Sequence, residues 1–526
     1  MAVKARTVLR IVAVVAGLGL LAWKQFYPHA AEQPQVPVEP ATATTAAANL
    51  PPAKPRTWKV GSLTLTACEL GRPDSGLTTA AWCVPFEVPE NRADPHSRRI
   101  KLKLAVVRSD AQVPAKDMLA LLAGGPGQAA TESWPAVAPA LDPLLAHRDV
   151  LLLDQRGTGG SNPLDCKQAQ KLEKPAASAG FDPDRLRAQA AQCLQEVQAK
   201  ADPRYYTTTV AVQDLDDARR ALGVPSLDLV GISYGTRVAQ QYAMRHPDAV
   251  RSVLLDGVVP NSLVLTEDFA RNLEDALKAQ FARCTAEPAC KAHFGNPYQT
   301  LYQLRDALRA NPHKVSFRDP QSYQSVERTL SDESLASVVR LFAYSPITAA
   351  LLPLSIDAAA HGDVGPLLGQ AKLITGDLAD SMNSGMQFSV FCSEDADLLK
   401  AQPQDANTIM GTRMVDTLQA ICSVWPHGAR PADFHQQLKT SIPTLLLSGQ
   451  YDPVTPPRYG EEVLKGLSDA RHLVLKGQGH NVIGAGCAPT LVKRFIEDLD
   501  PKKLDATCLD RLQPTPLFID FNGATP

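Results

Sequence analysis

From about residue 100 the chain alternates short apolar runs with stretches in which apolar residues recur at helical spacing. The apolar runs, which we interpret as strands, lie at 102–107, 118–122, 150–153, 227–230 and 253–255. Between the last two runs, residues 234–245 have the apolar spacing of a helix. Short strands that alternate with helices predict a mostly parallel sheet with helices on both faces, so we expect an α/β fold.

The pattern changes between about 260 and 440, where strand signals become few. Helical spacing dominates this region, at 267–284, 298–310, 333–343 and 410–424. Runs typical of strands return at 444–448 and 471–475, which predicts that the sheet resumes there. The domains that follow from this are a first part of the core at 58–259, an inserted helical cap at 260–440, and a C-terminal part of the core with a tail at 441–526.

The N-terminus has the layout of an export signal, because Lys4, Arg6 and Arg10 precede an uncharged apolar run at 11–23. As a helix this run would span about 20 Å, whereas bilayer hydrocarbon is roughly 30 Å thick. We therefore predict that residues 1–27 are a signal peptide. Two alternatives stay open: an uncleaved membrane anchor, since residues 28–30 lack the small outer residue of a cleavage site, and a buried core segment.

Residues 28–57 contain seven prolines around a stretch rich in alanine and threonine. This composition disfavours both a helix and a packed core, so it predicts a linker. With the export signal, the linker predicts a periplasmic or extracellular protein whose body is either free or tethered to the membrane.

All ten cysteines lie beyond this linker. In chain order they form five local pairs: Cys68 with Cys83, Cys166 with Cys193, Cys284 with Cys290, Cys392 with Cys422, and Cys487 with Cys508. An even number of cysteines after an export signal predicts disulfides in an oxidising compartment. The alternative is ten reduced and mostly buried thiols. No Cys or His cluster has the spacing of a zinc site, so we predict no metal.

Composition and charge exclude several classes of protein. The 53 Lys and Arg residues are balanced by 55 Asp and Glu residues, which gives a net charge of -2 and no positive field to hold a nucleic acid. With 44% hydrophobic and 21% charged residues, the chain has an ordinary globular composition. A largely disordered chain and a polytopic membrane protein are both disfavoured.

A Gly-Ile-Ser-Tyr-Gly motif at 231–235 follows the apolar run at 227–230 and precedes the predicted helix. This context is typical of a nucleophile elbow, a strained turn between a strand and a helix that exposes a serine hydroxyl at the edge of the sheet. Ser233 is therefore the candidate nucleophile.

A serine hydroxyl needs a base to remove its proton, and the base needs a carboxylate to orient it. In the order expected after the serine, Asp452 follows the run at 444–448, and His480 follows the run at 471–475. Taken singly, an Asp-Pro pair is typical of a turn, and a histidine in a loop is typically a surface residue. The three matches in order predict a Ser233, Asp452 and His480 triad.

Acyl chemistry also needs N–H donors for the developing oxyanion. An Ala-Gly-Gly-Pro-Gly segment at 123–127 follows the apolar run at 118–122. We predict that the backbone N–H of Gly124 or Gly125 is one donor and that of Tyr234, immediately after the nucleophile, is the second. The alternative for this segment is a simple Gly/Pro turn.

From about 60 to 510, these motifs resemble α/β-hydrolase fold serine peptidases of the proline iminopeptidase and tripeptidyl aminopeptidase group. The most specific parts are Gly-Gly-Pro-Gly at 124–127, Asp-Gln-Arg-Gly-Thr-Gly-Gly-Ser at 154–161, the elbow, and the segments of Asp452 and His480. Cys487 and Cys508 resemble the C-terminal region of the secreted tripeptidyl aminopeptidase branch. The chain departs from the family at Ala123, where a histidine is common.

The resemblance implies an exported serine aminopeptidase that acts on peptides with a free N-terminus and needs no cofactor. Such exopeptidases hold the substrate amine with acidic residues of the cap, and Glu394 with Asp395 is the candidate here. The alternative for this pair is a solvated acidic turn. Two rival functions remain: an esterase or acyl transferase with the same triad, and a catalytically inactive, tethered binding protein.

Overall fold

The computed structural model describes residues 56–72, 76–166, 181–320, 322–369, 372 and 381–523. The predicted signal peptide or anchor at 1–27 lies outside the described residues, as does the predicted linker up to residue 55. The first described strand begins at Thr57. Among the described residues, no helix combines the length and the apolar character needed to cross a membrane.

The strands are β1 (Thr57–Val60), β2 (Leu63–Leu70), β3 (Thr79–Pro89), β4 (Arg99–Val107), β5 (Met118–Leu122), β6 (Val150–Leu153), β7 (Leu227–Ile232), β8 (Val250–Asp256), β9 (His313–Arg318), β10 (Ser325–Leu330), β11 (Thr444–Gly449) and β12 (Ala470–Leu475). The α-helices bounded by described residues are α1 (Ala130–Leu145), α2 (Pro183–Gln198), α3 (Thr208–Leu222), α4 (Tyr234–Arg245), α5 (Phe269–Ala286), α6 (Pro288–Phe294), α7 (Pro297–Ala310), α8 (Asp332–Ala343), α9 (Pro346–Ala350), α10 (Leu352–Ala360), α11 (Ser384–Glu394), α12 (Arg413–Cys422), α13 (Pro457–Leu464) and α14 (Ala488–Asp498).

Ten of the described strands form one sheet in the order β1-β2-β3-β4-β6-β5-β7-β8-β11-β12. Strands β1 to β4 make an antiparallel meander, and β4 pairs antiparallel with β6. From β6 to β12 every neighbouring pair in this order is parallel. The predicted α/β fold with a mostly parallel sheet is therefore confirmed, and the parallel half carries the elbow and the two loops singled out above.

The central parallel strands β5, β7, β8 and β11 are buried on both faces, as their continuous apolar runs predict. In β5, Met118, Ala120 and Leu122 belong to one hydrophobic cluster, whereas Leu119 and Leu121 belong to another. Residues of α2, α3 and α4 cover the first face, and residues of α1 and α14 cover the second. Successive side chains of a strand point to opposite faces, so two helical layers are needed to cover them.

The region predicted as one helical cap contributes residues to three hydrophobic clusters. Helices α5, α7, α8 and α10 pack with the β9-β10 hairpin in a cluster of their own. Helices α11 and α12 instead place Met386, Val390, Leu418 and Ile421 in the cluster on the first face of the sheet. The earlier helices thus pack with a hairpin that the sequence pattern did not predict.

The ten cysteines form five disulfides with the predicted partners. Each bond closes a local loop, with sequence separations between 6 and 30. The alternative of reduced thiols is therefore wrong. A chain with this many disulfides is suited to an oxidising compartment.

Candidate active site

Ser233 occupies a sharp turn between the end of β7 and the start of α4. Its φ of 56° and ψ of -123° lie in a region that non-glycine residues rarely adopt. The turn brings α4 so close to β5 that a Cβ on Gly235 would lie 2.0 Å from the carbonyl oxygen of Leu122. The backbone N–H of Ser233 donates to the carbonyl oxygen of Asp256 at 2.8 Å, which fixes the turn against the neighbouring strand β8.

The structure brings together the three residues that the sequence places 247 and 28 positions apart. Nε2 of His480 lies 3.0 Å from Oγ of Ser233. Nδ1 of His480 lies 2.8 Å from Oδ2 of Asp452. Asp452 follows β11 and His480 follows β12, and these strands lie on the same side of β7 in the sheet. Parallel strands end at one edge, so the three loops meet there.

Asp452 is held by donors from its own loop. Oδ1 accepts hydrogen bonds from the backbone N–H groups of Val454 and Thr455, each at 2.8 Å, and Oδ2 accepts one from Oγ1 of Thr455 at 2.8 Å. Burial alone would raise the pKa of Asp452, but the charge and hydrogen bond of His480 and the two backbone donors hold it below its usual value. Asp452 is therefore an anion that fixes the tautomer of His480.

His480 is almost completely enclosed, with 4% of its side chain exposed. Burial alone would lower its pKa, but the attraction and hydrogen bond of Asp452, with a smaller contribution from Asp256, raise the pKa above its usual value. An ionised carboxylate can only accept, so Nδ1 of His480 donates to Asp452. Nε2 of the neutral ring is then the lone-pair nitrogen, which faces the Ser233 hydroxyl and can accept its proton.

The earlier cap region contributes Tyr344, which sequence reasoning did not single out. Its carbonyl oxygen accepts the backbone N–H of His480 at 2.8 Å, and its ring packs edge-on against the imidazole with centroids 5.3 Å apart. Thr455 was also missed, although a hydroxyl three residues after an aspartate is typical of a turn that closes on its own side chain.

The glycine loop at 124–127 lies directly against the elbow. A Cβ on Gly124 would be 3.2 Å from Cβ of Ser233, so a larger residue would crowd the nucleophile. Asn383, which precedes α11, supports this loop from the other side: its N–H donates to the carbonyl of Gly127 at 3.0 Å. Its side-chain oxygen accepts from the N–H of Gly159, also at 3.0 Å. Gly124 thus lies against Ser233, and Tyr234 follows it in the chain. The assignment of the N–H groups of Gly124 or Gly125 and of Tyr234 as oxyanion donors stays a prediction.

The Asp-Gln-Arg-Gly segment supports the site without reaching the triad. Oδ1 of Asp154 accepts from the N–H of Thr131 at 2.8 Å, and Oδ2 accepts from the N–H of Gly160 at 3.0 Å. Arg156 is fully buried and binds Asp214 with two nitrogens, at 2.6 and 2.8 Å. These two side chains join the loop to α1 and α3.

Glu394 and Asp395 lie at the end of α11 and are buried, with exposures of 1% and 2%. The alternative of a solvated acidic turn is therefore wrong. The carboxylate of Asp395 pairs with buried Arg237 at 3.0 Å, so its charge is already compensated. The other oxygen, Oδ1 of Asp395, is buried and has no hydrogen-bond partner among the described residues. Glu394 has no basic side chain bound to its carboxylate within the same residues. That both residues bind the substrate amine stays a prediction.

Glu394 is connected to the elbow by hydrogen bonds. Its two carboxylate oxygens accept from the N–H of Thr208 at 2.6 Å and from Oγ1 of Thr208 at 3.0 Å. The same hydroxyl contacts the phenol oxygen of Tyr234, the residue after the nucleophile. Burial raises the pKa of Glu394 to about 7. A cation that reached Glu394 would therefore meet a group that titrates near neutral pH.

No group of three or more His, Cys, Asp or Glu side chains within the described ranges is arranged to hold a metal ion. The polar groups around Ser233 form the arrangement of an acyl-transfer site: a hydroxyl, a base, an orienting anion and a glycine loop.

The chain is similar in sequence to several known proteins. Residues 118–484 match the family described as alpha/beta hydrolase fold. Serine protease Hip1 of Mycobacterium tuberculosis is 24% identical over 465 residues, which cover 82% of this chain and 88% of that protein. Carboxylesterase B of Mycobacterium tuberculosis is 25% identical over 460 residues, covering 81% and 86%. Tripeptidyl aminopeptidase of Streptomyces coelicolor is 29% identical over 199 residues, covering 35% and 36%.

The family match spans more than half of the chain and includes the elbow and the loops of Asp452 and His480. The resemblance found in the motifs is thereby confirmed, and the family indicates a serine hydrolase. This chain belongs to the alpha/beta hydrolase fold family.

Proposed function

We propose that this protein is an exported serine aminopeptidase that releases a short unit from the free N-terminus of peptides. The observation that carries the proposal is the continuous hydrogen-bonded series from Oγ of Ser233 through His480 to Asp452, with distances of 3.0 and 2.8 Å. The relatives named serine protease Hip1 and tripeptidyl aminopeptidase support peptide bonds as the target.

In the first half of the reaction, Oγ of Ser233 attacks the carbonyl carbon of the scissile bond while its proton passes to Nε2 of His480. Asp452 stabilises the imidazolium that forms. The carbonyl oxygen becomes an oxyanion, which the N–H of Tyr234 and that of Gly124 or Gly125 stabilise. Losing one such donor costs about 100- to 1,000-fold in rate in comparable enzymes.

In the second half, the C–N bond breaks as His480 returns the proton to the leaving amine, and the N-terminal unit remains as an ester of Ser233. A water molecule then gives a proton to His480 and attacks the ester carbonyl. The N-terminal unit leaves as a free carboxylic acid, and Ser233 recovers its proton from His480.

Glu394 is the group that we propose for the substrate amine. It is a buried carboxylate linked through Thr208 to Tyr234, and thus to the elbow. An ammonium group beside it would form a charge-assisted hydrogen bond and favour the ionised carboxylate. In this proposal Asp395 has a different role from the one expected from the sequence: it compensates the charge of Arg237.

Export is part of the proposal and is supported by the five disulfides and by the basic and apolar layout of residues 1–27. The protein would act in the periplasm or outside the cell, either released or tethered by its N-terminus. Its partners would be peptides, with no role for nucleic acid and no cofactor.

A second candidate function, esterase or other acyl transfer with the same triad, is favoured by the relative named carboxylesterase B. The test compares aminoacyl, dipeptidyl and tripeptidyl amides with free N-termini, their acetylated forms and short-chain esters, with Ser233→Ala as the control. Our proposal predicts hydrolysis of at least one free amide and a large loss on acetylation. Activity on esters alone, or equal rates on acetylated amides, would replace it by the esterase.

A chain that hydrolyses nothing would instead be a binding protein. A fluorophosphonate probe separates this outcome from a wrong choice of substrate, because it reacts with an activated serine whatever the substrate. Labelling of Ser233 in the oxidised protein supports an enzyme, and failure to label it supports the binding protein.

A further inference from the structure

Asp256 is a buried carboxylate close to the triad with no role in the mechanism given above. It is the last residue of β8, the strand between β7 and β11, and it is 0% exposed. A carboxylate in such a place is costly unless its oxygens accept hydrogen bonds. The identity of its donors therefore indicates what the side chain holds.

Both oxygens of Asp256 bind the loop that carries His480. The N–H of Val482 lies 2.9 Å from each oxygen, and the N–H of Ile483 lies 2.9 Å from Oδ2. Between His480 and these donors the chain reverses at Asn481, whose φ is 67°. Asp256 thus fixes the side of the loop that follows His480.

The backbone of the same residue binds the nucleophile. The carbonyl oxygen of Asp256 accepts the N–H of Ser233 at 2.8 Å. One residue therefore contacts the elbow through its main chain and the histidine loop through its side chain. The other side of that loop is held independently, by the bond from the N–H of His480 to Tyr344.

We propose that Asp256 is a positioning residue, which sets the distance between Ser233 and His480 by joining their two loops. The inference rests on the proposed function, because it assigns Asp256 to the same triad. Productive proton transfer needs the two atoms within hydrogen-bond reach, and small displacements of such a pair lower the rate strongly.

The charge of Asp256 adds a signature that a purely structural residue would lack. The groups whose charges act on His480 are Asp452, Asp256 and, from α8 of the cap, Arg340. The two carboxylates raise the pKa of His480, whereas Arg340 lowers it. Burial raises the pKa of Asp256 itself to about 6, so its negative charge is present at neutral pH.

The test replaces Asp256 by asparagine in the full-length, oxidised protein, with active sites counted by fluorophosphonate labelling. Asparagine keeps one acceptor oxygen but turns an amide group toward a backbone N–H. We expect kcat per labelled site to fall about 10-fold while KM changes little. In the profile of kcat/KM against pH, the acidic limb should move about half a pH unit lower, because the loss of a nearby negative charge lowers the pKa of His480.

Asp228→Asn is the matched control. Asp228 is also 0% exposed and also accepts hydrogen bonds, from Oγ of Ser252 and from Arg251. It is the second residue of β7, however, and so lies at the amino ends of the parallel strands, away from the triad at their carboxyl ends. This variant should lose stability and leave kcat per labelled site and the acidic limb unchanged. An Asp256→Asn protein that behaves in the same way would overturn the inference.

If Asp256→Asn does not fold, Gly257→Ala tests the same joint from the backbone. A Cβ on Gly257 would lie 3.1 Å from Cε1 of His480, and the φ of this residue is 69°. We expect kcat per labelled site to fall, whereas the acidic limb of kcat/KM against pH should stay at the same pH. An unchanged kcat would overturn the inference. A wild-type protein that neither hydrolyses a substrate nor is labelled would instead reject the proposed function.

Discussion

Tyr344 and His480 are joined twice, by a hydrogen bond from the N–H of His480 to the carbonyl oxygen of Tyr344 at 2.8 Å and by edge-on packing of their rings at 5.3 Å. Tyr344 directly follows α8 of the cap, and His480 is the proposed base. A residue of the cap therefore contacts the imidazole directly, and the orientation of the imidazole ring depends on a residue outside the sheet.

Replacing Tyr344 by alanine should lower kcat about 10-fold, because the imidazole loses the ring that limits its rotation while the backbone hydrogen bond remains. Tyr344→Phe is the matched control. It keeps the ring and loses only the hydroxyl that binds Arg340, so its kcat should stay near that of the wild type. Equal rates for the alanine variant and the wild type, measured per labelled serine, would show that the contact has no role in turnover.

Asp452→Asn should lower kcat by about 10,000-fold, as in a comparable triad. Oδ1 of Asp452 accepts from two backbone N–H groups, whereas Oδ2 faces both the Thr455 hydroxyl and His480, so asparagine would keep its oxygen on the two backbone donors and turn its amide toward His480. The imidazole would then present its lone pair to the wrong side. Circular dichroism should show an intact fold, and a loss below 10-fold would contradict the role given to Asp452.

The activity should fall on the acidic side with a midpoint above pH 6.5. His480 must be neutral to accept the Ser233 proton, and its pKa lies above the usual value because of Asp452. As the pH drops through that pKa, protonation removes the base, whereas Asp452, with its lowered pKa, stays ionised. The measurement is kcat/KM against pH with a short-chain ester, whose binding does not involve Glu394. A midpoint below pH 6.5 would be inconsistent with this electrostatic account.

Glu394→Gln should raise KM for peptides with a free N-terminus by about 10- to 100-fold, the range expected for one charge-assisted hydrogen bond. Hydrolysis of short-chain esters is the internal control and should be unaffected, because these substrates carry no ammonium group. Equal losses on both substrate types would indicate that Glu394 supports Tyr234 through Thr208 instead of binding the amine.

Local pattern was enough to predict the elements that carry the site. The runs at 118–122 and 150–153 coincide with β5 and β6, because the apolar residues of these buried strands are contiguous. The helix predicted at 234–245 coincides with α4, whose apolar residues recur at helical spacing. The strand-turn-helix context of residues 231–235 was then enough to identify Ser233 as the candidate nucleophile.

The missed parts depend on tertiary contacts. Strands β1 and β2 are half exposed, so their apolar residues are too scattered to stand out from a loop. The roles of Asp256 and Tyr344 come from backbone hydrogen bonds to residues more than 100 positions away, which no local pattern records. The division of 260–440 among three clusters has the same cause, since it depends on which elements each helix packs against.

Hydrolysis of one tripeptidyl amide, free and acetylated, by the wild type and by Ser233→Ala decides whether the protein is a serine aminopeptidase. We expect turnover of the free substrate by the wild type, at most a small fraction of that rate on the acetylated substrate, and a loss of about a million-fold in the variant, as for comparable triads. Substantial turnover by Ser233→Ala, or equal rates on the free and acetylated substrates, would contradict this expectation.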